Sequence, residues 1–243
     1  MPSWRPPSNL QIVFTCEHAS KAVPTELHEL GLPAAVRNSH RSWDPGALPI
    51  AETLAEAFDA VLVQGKWSRL VADLNRSASH ARVIARSIDG LDVPGNVDLT
   101  KAEHAARLRT FWKPYRDEVL AYMKQASKRG PVLHLSVHSF VEELGGVARH
   151  NDLGLLHDPA RVGELQFCER LRKELLPGGL SVRRNFPYYG HTDGVTTWLR
   201  GVLGAKRYLG IEVECNQRLS RTRPGQRRLA QALSGALLAM IRD

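Results

Sequence analysis

Two rhythms of apolar and polar positions alternate along this chain. Short runs rich in β-branched and aromatic residues at Asn9–Cys16, Ala60–Gln64, Arg69–Leu74, Val132–Val137, Leu153–His157, Gly179–Arg183 and Arg207–Cys215 read as strands. Between them the apolar positions shift to helical spacing. Leu48, Ile50, Ala51, Leu54, Ala55 and Phe58 mark a helix over Gly46–Ala60, and Pro159–Leu175 and Pro224–Ile241 read as two more. Thr100 and Glu103 form a capping box, so a helix opens there and runs to about Arg129, where Gly130-Pro131 end it. Pro114, inside that stretch, predicts a kink or a split. A turn at Gly65–Ser68 separates two strands, and Ser77–Asn96, with its Pro94-Gly95 pair, reads as a long loop.

This alternation predicts an α/β fold, a three-layer α/β/α sandwich around a mostly parallel, mixed sheet. No repeat, low-complexity tract or linker interrupts it, so residues 1–243 read as a single domain. In such sheets a ligand binds at the carboxyl ends of the strands.

Composition narrows the class. A charged fraction of 24% and a hydrophobic fraction of 43% are those of a globular chain, which excludes wholesale disorder. No apolar run approaches the ~20 residues of a membrane span. Met1–Leu10 is polar and proline-rich, without the pattern of a secretory signal. Cys16, Cys168 and Cys215 are too few and scattered for a disulfide framework or a CxxC zinc cage, which points to a reducing cytoplasm. Lys and Arg number 33 against 25 Asp and Glu, a formal +8. That charge suits either an anionic polymer or a small anionic metabolite. Arg218, Arg221, Arg223, Arg227 and Arg228 cluster at the last helix, but no aromatic residue interleaves with them, so they read as a solvated face and not as a nucleic-acid surface.

The candidate chemistry gathers at strand ends. Glu17-His18 follows the first strand, His138-Ser139 follows Val132–Val137, and Glu212 and Glu214 lie near the end of Arg207–Cys215. Asp73, Asn75 and Arg76 end Arg69–Leu74, and Asp44 sits in a Ser-Trp-Asp-Pro-Gly loop. Two histidines and a carboxylate are what a catalytic zinc needs, with one coordination position left for water. A shielded carboxylate has the raised proton affinity of a general acid and base, a role that suits Glu214. Asn75-Arg76 reads as a grip for a substrate carboxylate and Arg149 as a second cationic contact. A serine nucleophile at Ser136 or Ser139 lacks an elbow motif, and the cysteines read as buried apolar residues.

At these residues the chain resembles the N-formylglutamate amidohydrolase family. The matching pieces are Cys16-Glu17-His18-Ala19-Ser20, Trp43-Asp44-Pro45-Gly46-Ala47, Asp73-Leu74-Asn75-Arg76-Ser77, Val137-His138-Ser139-Phe140, Asp152-Leu153-Gly154-Leu155-Leu156, Asn185-Phe186-Pro187-Tyr188 and Ile211-Glu212-Val213-Glu214-Cys215-Asn216. The resemblance implies a zinc-exopeptidase-like fold and a hydrolase of C–N bonds other than peptide bonds, acting on a small anionic N-acyl amino acid such as N-formylglutamate. It implies one zinc ion on His18, Asp44 and His138; the position three after His18, where carboxypeptidase-like sites carry a Glu, is Lys21, and Glu17, adjacent to His18 at the same strand end, is the alternative third ligand. It makes Glu214 the general base, with Glu212 second. Asn75 and Arg76 become the carboxylate grip, with Asn185 and Tyr188 as further substrate contacts beside Arg149, which is read from its place after Gly145-Gly146 and not from the resemblance. Gln217-Arg218-Leu219-Ser220 and His191-Thr192-Asp193-Gly194 depart from the family pattern. A zinc carboxypeptidase or cell-wall peptide amidase is the rival within enzymes.

Overall fold

A computed structural model of the chain describes residues 4–242, so Met1–Ser3 of the N-terminal stretch lie outside the described residues. Six strands form the main sheet: β1 (Gln11–Cys16), β2 (Val61–Gln64), β3 (Val132–Phe140), β4 (Leu153–Leu156), β5 (Val182–Arg184) and β6 (Tyr208–Asn216). Their order is β2-β1-β3-β6-β4-β5. All neighbours are parallel except β6 and β4. The longer helices are α1 (Ala47–Ala57), α2 (Lys101–Arg107), α3 (Lys113–Arg129), α4 (Val162–Leu175), α5 (Val195–Leu203) and α6 (Arg223–Arg242). The expected α/β architecture with a mostly parallel, mixed sheet is the one observed. No helix among the described residues is long and apolar enough to cross a membrane.

The two faces of the sheet differ in chemistry because side chains alternate along a strand. Phe14 and Cys16 of β1, Leu133, Leu135 and Val137 of β3, and Ile211, Val213 and Cys215 of β6 enter one core with α1, α4 and α6. The alternate positions of β3 are Val132, His134, Ser136 and His138, and those of β6 are Tyr208, Gly210, Glu212 and Glu214. Here α3 and α5 cover the amino-terminal end, where Val132 and Tyr208 pack with Val119, Met123 and Leu199. Polar groups fill the carboxyl end.

Two sequence expectations change and one, the split at Pro114, takes a definite form. Arg69–Leu74 is not a strand. Its Leu70, Val71, Ala72 and Leu74 are buried, but its backbone is met by side chains: Asn96 Nδ2 donates to the Leu70 carbonyl at 2.9 Å, and an Arg116 Nη to that of Leu74 at 3.0 Å. The Thr100 capping box forms as expected. The helix then divides at a π-turn, Leu108–Trp112, which lets Pro114 enter the first turn of α3, where its missing N–H costs nothing. The second change is α5 itself, absent from the sequence reading. Its β-branched start is a poor helix former, but Asn75 Oδ1 accepts the Val195 N–H at 2.8 Å, a cap supplied from a distant segment.

Candidate active site

A cavity of about 520 Å³ opens at the carboxyl ends of β1, β3 and β6. His18, Asp44, His138 and Glu214 line it, as do Asn75, Arg76 and Tyr188. His18 lies just past β1. His138 and Glu214 stand opposite one another in the parallel register of β3 and β6. Asp44 is brought in by its loop: its N–H donates to the His18 carbonyl at 2.9 Å, and the Ser139 and Ser220 hydroxyls both donate to the Pro45 carbonyl. Gly46 follows with φ +81°, and a Cβ there would stand 1.8 Å from the Ser220 carbonyl oxygen, so only glycine closes this turn.

Both histidines turn the same nitrogen toward Asp44. His18 Nδ1 is 3.5 Å, and His138 Nδ1 2.9 Å, from Asp44 Oδ2. Their other nitrogens point at separate carboxylates: His18 Nε2 at Asp73 Oδ1, 2.7 Å away, and His138 Nε2 at Glu17 Oε2, 3.1 Å away. One ligand atom from each of His18, Asp44 and His138 lies within 4.8 Å of the others. Ligands 2.0–2.1 Å from a tetrahedral ion are separated by roughly 3.3 Å, close to the spacings seen. A carboxylate behind each ligating imidazole fixes its tautomer and raises its basicity. Glu17 therefore serves the site from behind. Its carboxylate accepts Tyr115 Oη at 2.8 Å and Ser136 Oγ at 2.6 Å, and it is fully buried. The same bond occupies Ser136.

The electrostatics agree. Burial raises the Asp44 carboxyl, but Arg69, His18 and His138 outweigh it and hold it well below the ordinary carboxylate range. Burial lowers His138, yet Asp44 and Glu17 push it well above the ordinary imidazole value. The proton on His138 Nδ1 thus stands beside Asp44, where positive charge is favoured. Arg69 was not singled out in the sequence. Its Nη2 contacts Asp44 Oδ1 and lies 2.6 Å from His18 Nδ1. No local motif marks it, because its meaning depends on residues 25 and 51 positions away.

Glu214 and Glu212 separate here. Glu212 Oε1 accepts Thr196 Oγ1 at 2.8 Å. Glu214 Oε2 is buried without a hydrogen-bond partner, and burial, reinforced by Asp44 and Glu212 against the pull of His138 and Arg69, pushes its pKa up to about 8. Gly154, beside Glu214 in the antiparallel register of β4, lets the Phe186 backbone pack close: a Cβ there would stand 2.1 Å from the Phe186 carbonyl oxygen.

Residues 10–220 match the profile of the N-formylglutamate amidohydrolase family. The chain belongs to that family. It is accordingly a hydrolase of C–N bonds other than peptide bonds, an amidohydrolase with a small substrate. Among solved structures, gene product Atu2144 from Agrobacterium tumefaciens is 35% identical, with a TM-score of 0.81 over 95% of this chain and 90% of that one. The N-formylglutamate amidohydrolase from Ralstonia eutropha JMP134 is 20% identical, with a TM-score of 0.74 over 97% and 96%, a likeness of fold. No curated protein sequence matches the chain.

The remaining candidate positions are distributed unevenly. Asn75 and Arg76 line the cavity, and an Arg76 Nη donates to the Asp193 carbonyl at 3.2 Å. Tyr188 lines it too. Arg149 stacks over the Tyr188 ring, 5.3 Å from its centroid, and is not among the lining residues. Asn185 also stays out: its Oδ1 accepts the N–H groups of His157 and Gly190, so it shapes the loop that carries Tyr188. Lys21 is exposed and bonded to Asn38. In the C-terminal cluster Arg218 pairs with Asp152, Arg221 with Glu142, and Arg228 meets the carbonyls of Gly178 and Gly179.

Proposed function

We propose that this protein removes the formyl or another small acyl group from an N-acyl amino acid, with a zinc ion held by His18, Asp44 and His138. The observation that carries the reading is the buried Glu214 Oε2 across from His138, a carboxyl oxygen with no hydrogen-bond partner among the described residues. Two neutral-nitrogen donors and one carboxylate suit zinc over magnesium or calcium. A bound zinc ion supplies water of lowered pKa and a Lewis acid for the acyl oxygen.

The chain's own groups do the rest. Glu214 takes a proton from the attacking water and delivers it to the departing nitrogen. Arg76 binds the α-carboxylate and so fixes the acyl carbon relative to Glu214. Arg69, paired with Asp44, keeps that carboxylate ionised and in place beside the two histidines. Glu17 and Asp73 hold the imidazole rings of His138 and His18 in place. The three free cysteines are all buried, which supports a reducing, cytoplasmic setting.

The test pairs metal analysis of the purified protein with formate release from N-formyl amino acids, N-formylglutamate among them. We expect about one zinc per chain and release that stops on chelation and returns with zinc. Full activity after complete removal of metal would overturn the reading.

A further inference from the structure

The charges around the cavity say more about the substrate than its reaction does. Arg69 is committed to Asp44 and His18. Arg149 is turned onto Tyr188, whose hydroxyl it meets at 3.3 Å, and does not line the cavity. Among the described residues this leaves Arg76 as the lining arginine whose guanidinium meets a backbone carbonyl and no carboxylate. One such arginine holds one substrate carboxylate. A second carboxylate would find Asp193 and Glu212 on the wall, and a like charge in the same cavity disfavours it.

The rest of the wall has a different character. Leu156, Pro187, Tyr188 and Tyr189 line it, and the two tyrosines are 41% and 60% exposed. Arg149 covers one face of the Tyr188 ring and His191 tilts against Tyr189, and what remains of these exposed rings gains from being covered by an apolar group. The cavity has room for one, since volumes of about 300–1,000 Å³ accommodate ligands much larger than an acyl glycine.

We infer that the pocket takes N-acyl amino acids with a single carboxylate and an apolar or aromatic side chain in preference to acidic ones. The inference rests on the proposed deacylation and goes beyond it by naming the side-chain class.

Formate release by the zinc-loaded protein from the N-formyl derivatives of phenylalanine, leucine, glutamine and glutamate tests it. Glutamine, the neutral isostere, separates charge from size. We expect kcat/KM for phenylalanine and leucine to exceed that for glutamate by about tenfold or more, with glutamine between. Glutamate equal to or better than phenylalanine overturns the inference and returns Arg149 to the role of reading a second carboxylate. If none of the four releases formate, the deacylation reading fails, and calorimetric titration of the same protein decides the inference alone. Tighter binding of the phenylalanine derivative than of the glutamate derivative, by about tenfold, sustains it. Equal binding, the reverse order or no binding overturns it.

Discussion

The floor of the pocket and its rim are built by different means. The floor is strand-borne. His138 and Glu214 face each other through the β3–β6 ladder, His18 follows β1, and Glu17, itself held by Ser136 and Tyr115, locks His138 from behind. The rim is made of loops whose backbone is held by single side chains. Asp193 Oδ2 accepts the Ser77 N–H at 2.9 Å, and Asn185 Oδ1 gathers two N–H groups. A ladder fixes atoms to fractions of an ångström, whereas a side-chain tether leaves the loop room to adjust. The division suits reaction chemistry below and substrate discrimination above. Substitutions in the floor should therefore act chiefly on kcat and stability, and those in the rim chiefly on KM.

The largest effect is expected at Glu214. Glu214→Gln keeps the shape but removes the proton carrier, so kcat should fall by about 10²–10⁴ while the metal content stays that of the unmodified protein. Near-normal turnover in the metal-replete variant would transfer the role to Glu212.

Deeper in the floor, His134 offers a test independent of turnover. It lies two and four residues before Ser136 and His138 on the same face of β3, between Thr15 Oγ1 at 2.8 Å and Tyr208 Oη at 2.6 Å. Burial, with Arg200 and His138 adding to it against Glu17, brings its pKa down to about 4. An unfolded histidine takes up its proton near 6.5. Between those values the unfolded chain binds the extra proton, so this contribution to stability is present above pH 6.5 and is lost as pH falls toward 4. Relative to His134→Gln, the unmodified protein should lose on the order of 3 kcal/mol over that range, measured by urea unfolding in the presence of a chelator. A constant difference between the two proteins would show that His134 is charged in the fold.

The floor was also the legible part. His18, His138 and Glu214 end apolar runs, and a strand end in an α/β chain is where a ligand binds, so their convergence follows from topology. The polar alternation Val132, His134, Ser136, His138 marks the functional face of β3 and could have been read in advance. The rim was not legible. Arg69–Leu74 has the composition of a strand, but its N–H groups bond to the carbonyls of Ser42, Ser68 and Val83 and its carbonyls to Asn96 and Arg116, none of them in a strand ladder beside it. Helix α5 depends on Asn75 in the same way. Asn185 and Arg149 read as substrate contacts in the sequence, whereas the fold turns one onto its own loop and the other onto Tyr188.

The rim predictions are correspondingly smaller. Arg76→Ala removes a charge-assisted contact worth about 1.5–3 kcal/mol, so KM for carboxylate substrates should rise roughly ten- to a hundredfold with kcat little changed. An amide analogue of the substrate, lacking the carboxylate, should be unaffected. Equal losses on both compounds would place the grip elsewhere.

The smallest effect tests whether floor and rim are separable at all. Ser77 Oγ is 3.2 Å from Asp193 Oδ2, and the Ser77 N–H reaches the same oxygen. Ser77→Ala removes one of these two bonds, worth about 1 kcal/mol, and leaves the other. Asp193 then holds its loop less firmly, and the carbonyl that meets Arg76 gains freedom. KM should rise by only a few-fold and the melting temperature fall by about 2–4 °C, while kcat of the zinc-loaded protein stays as it is. A fall in kcat without a change in KM would mean that motion of the rim reaches Glu214. The nearest path is through Asn75, which is bonded to the Val195 N–H on one side and lies 3.5 Å from Glu212 on the other.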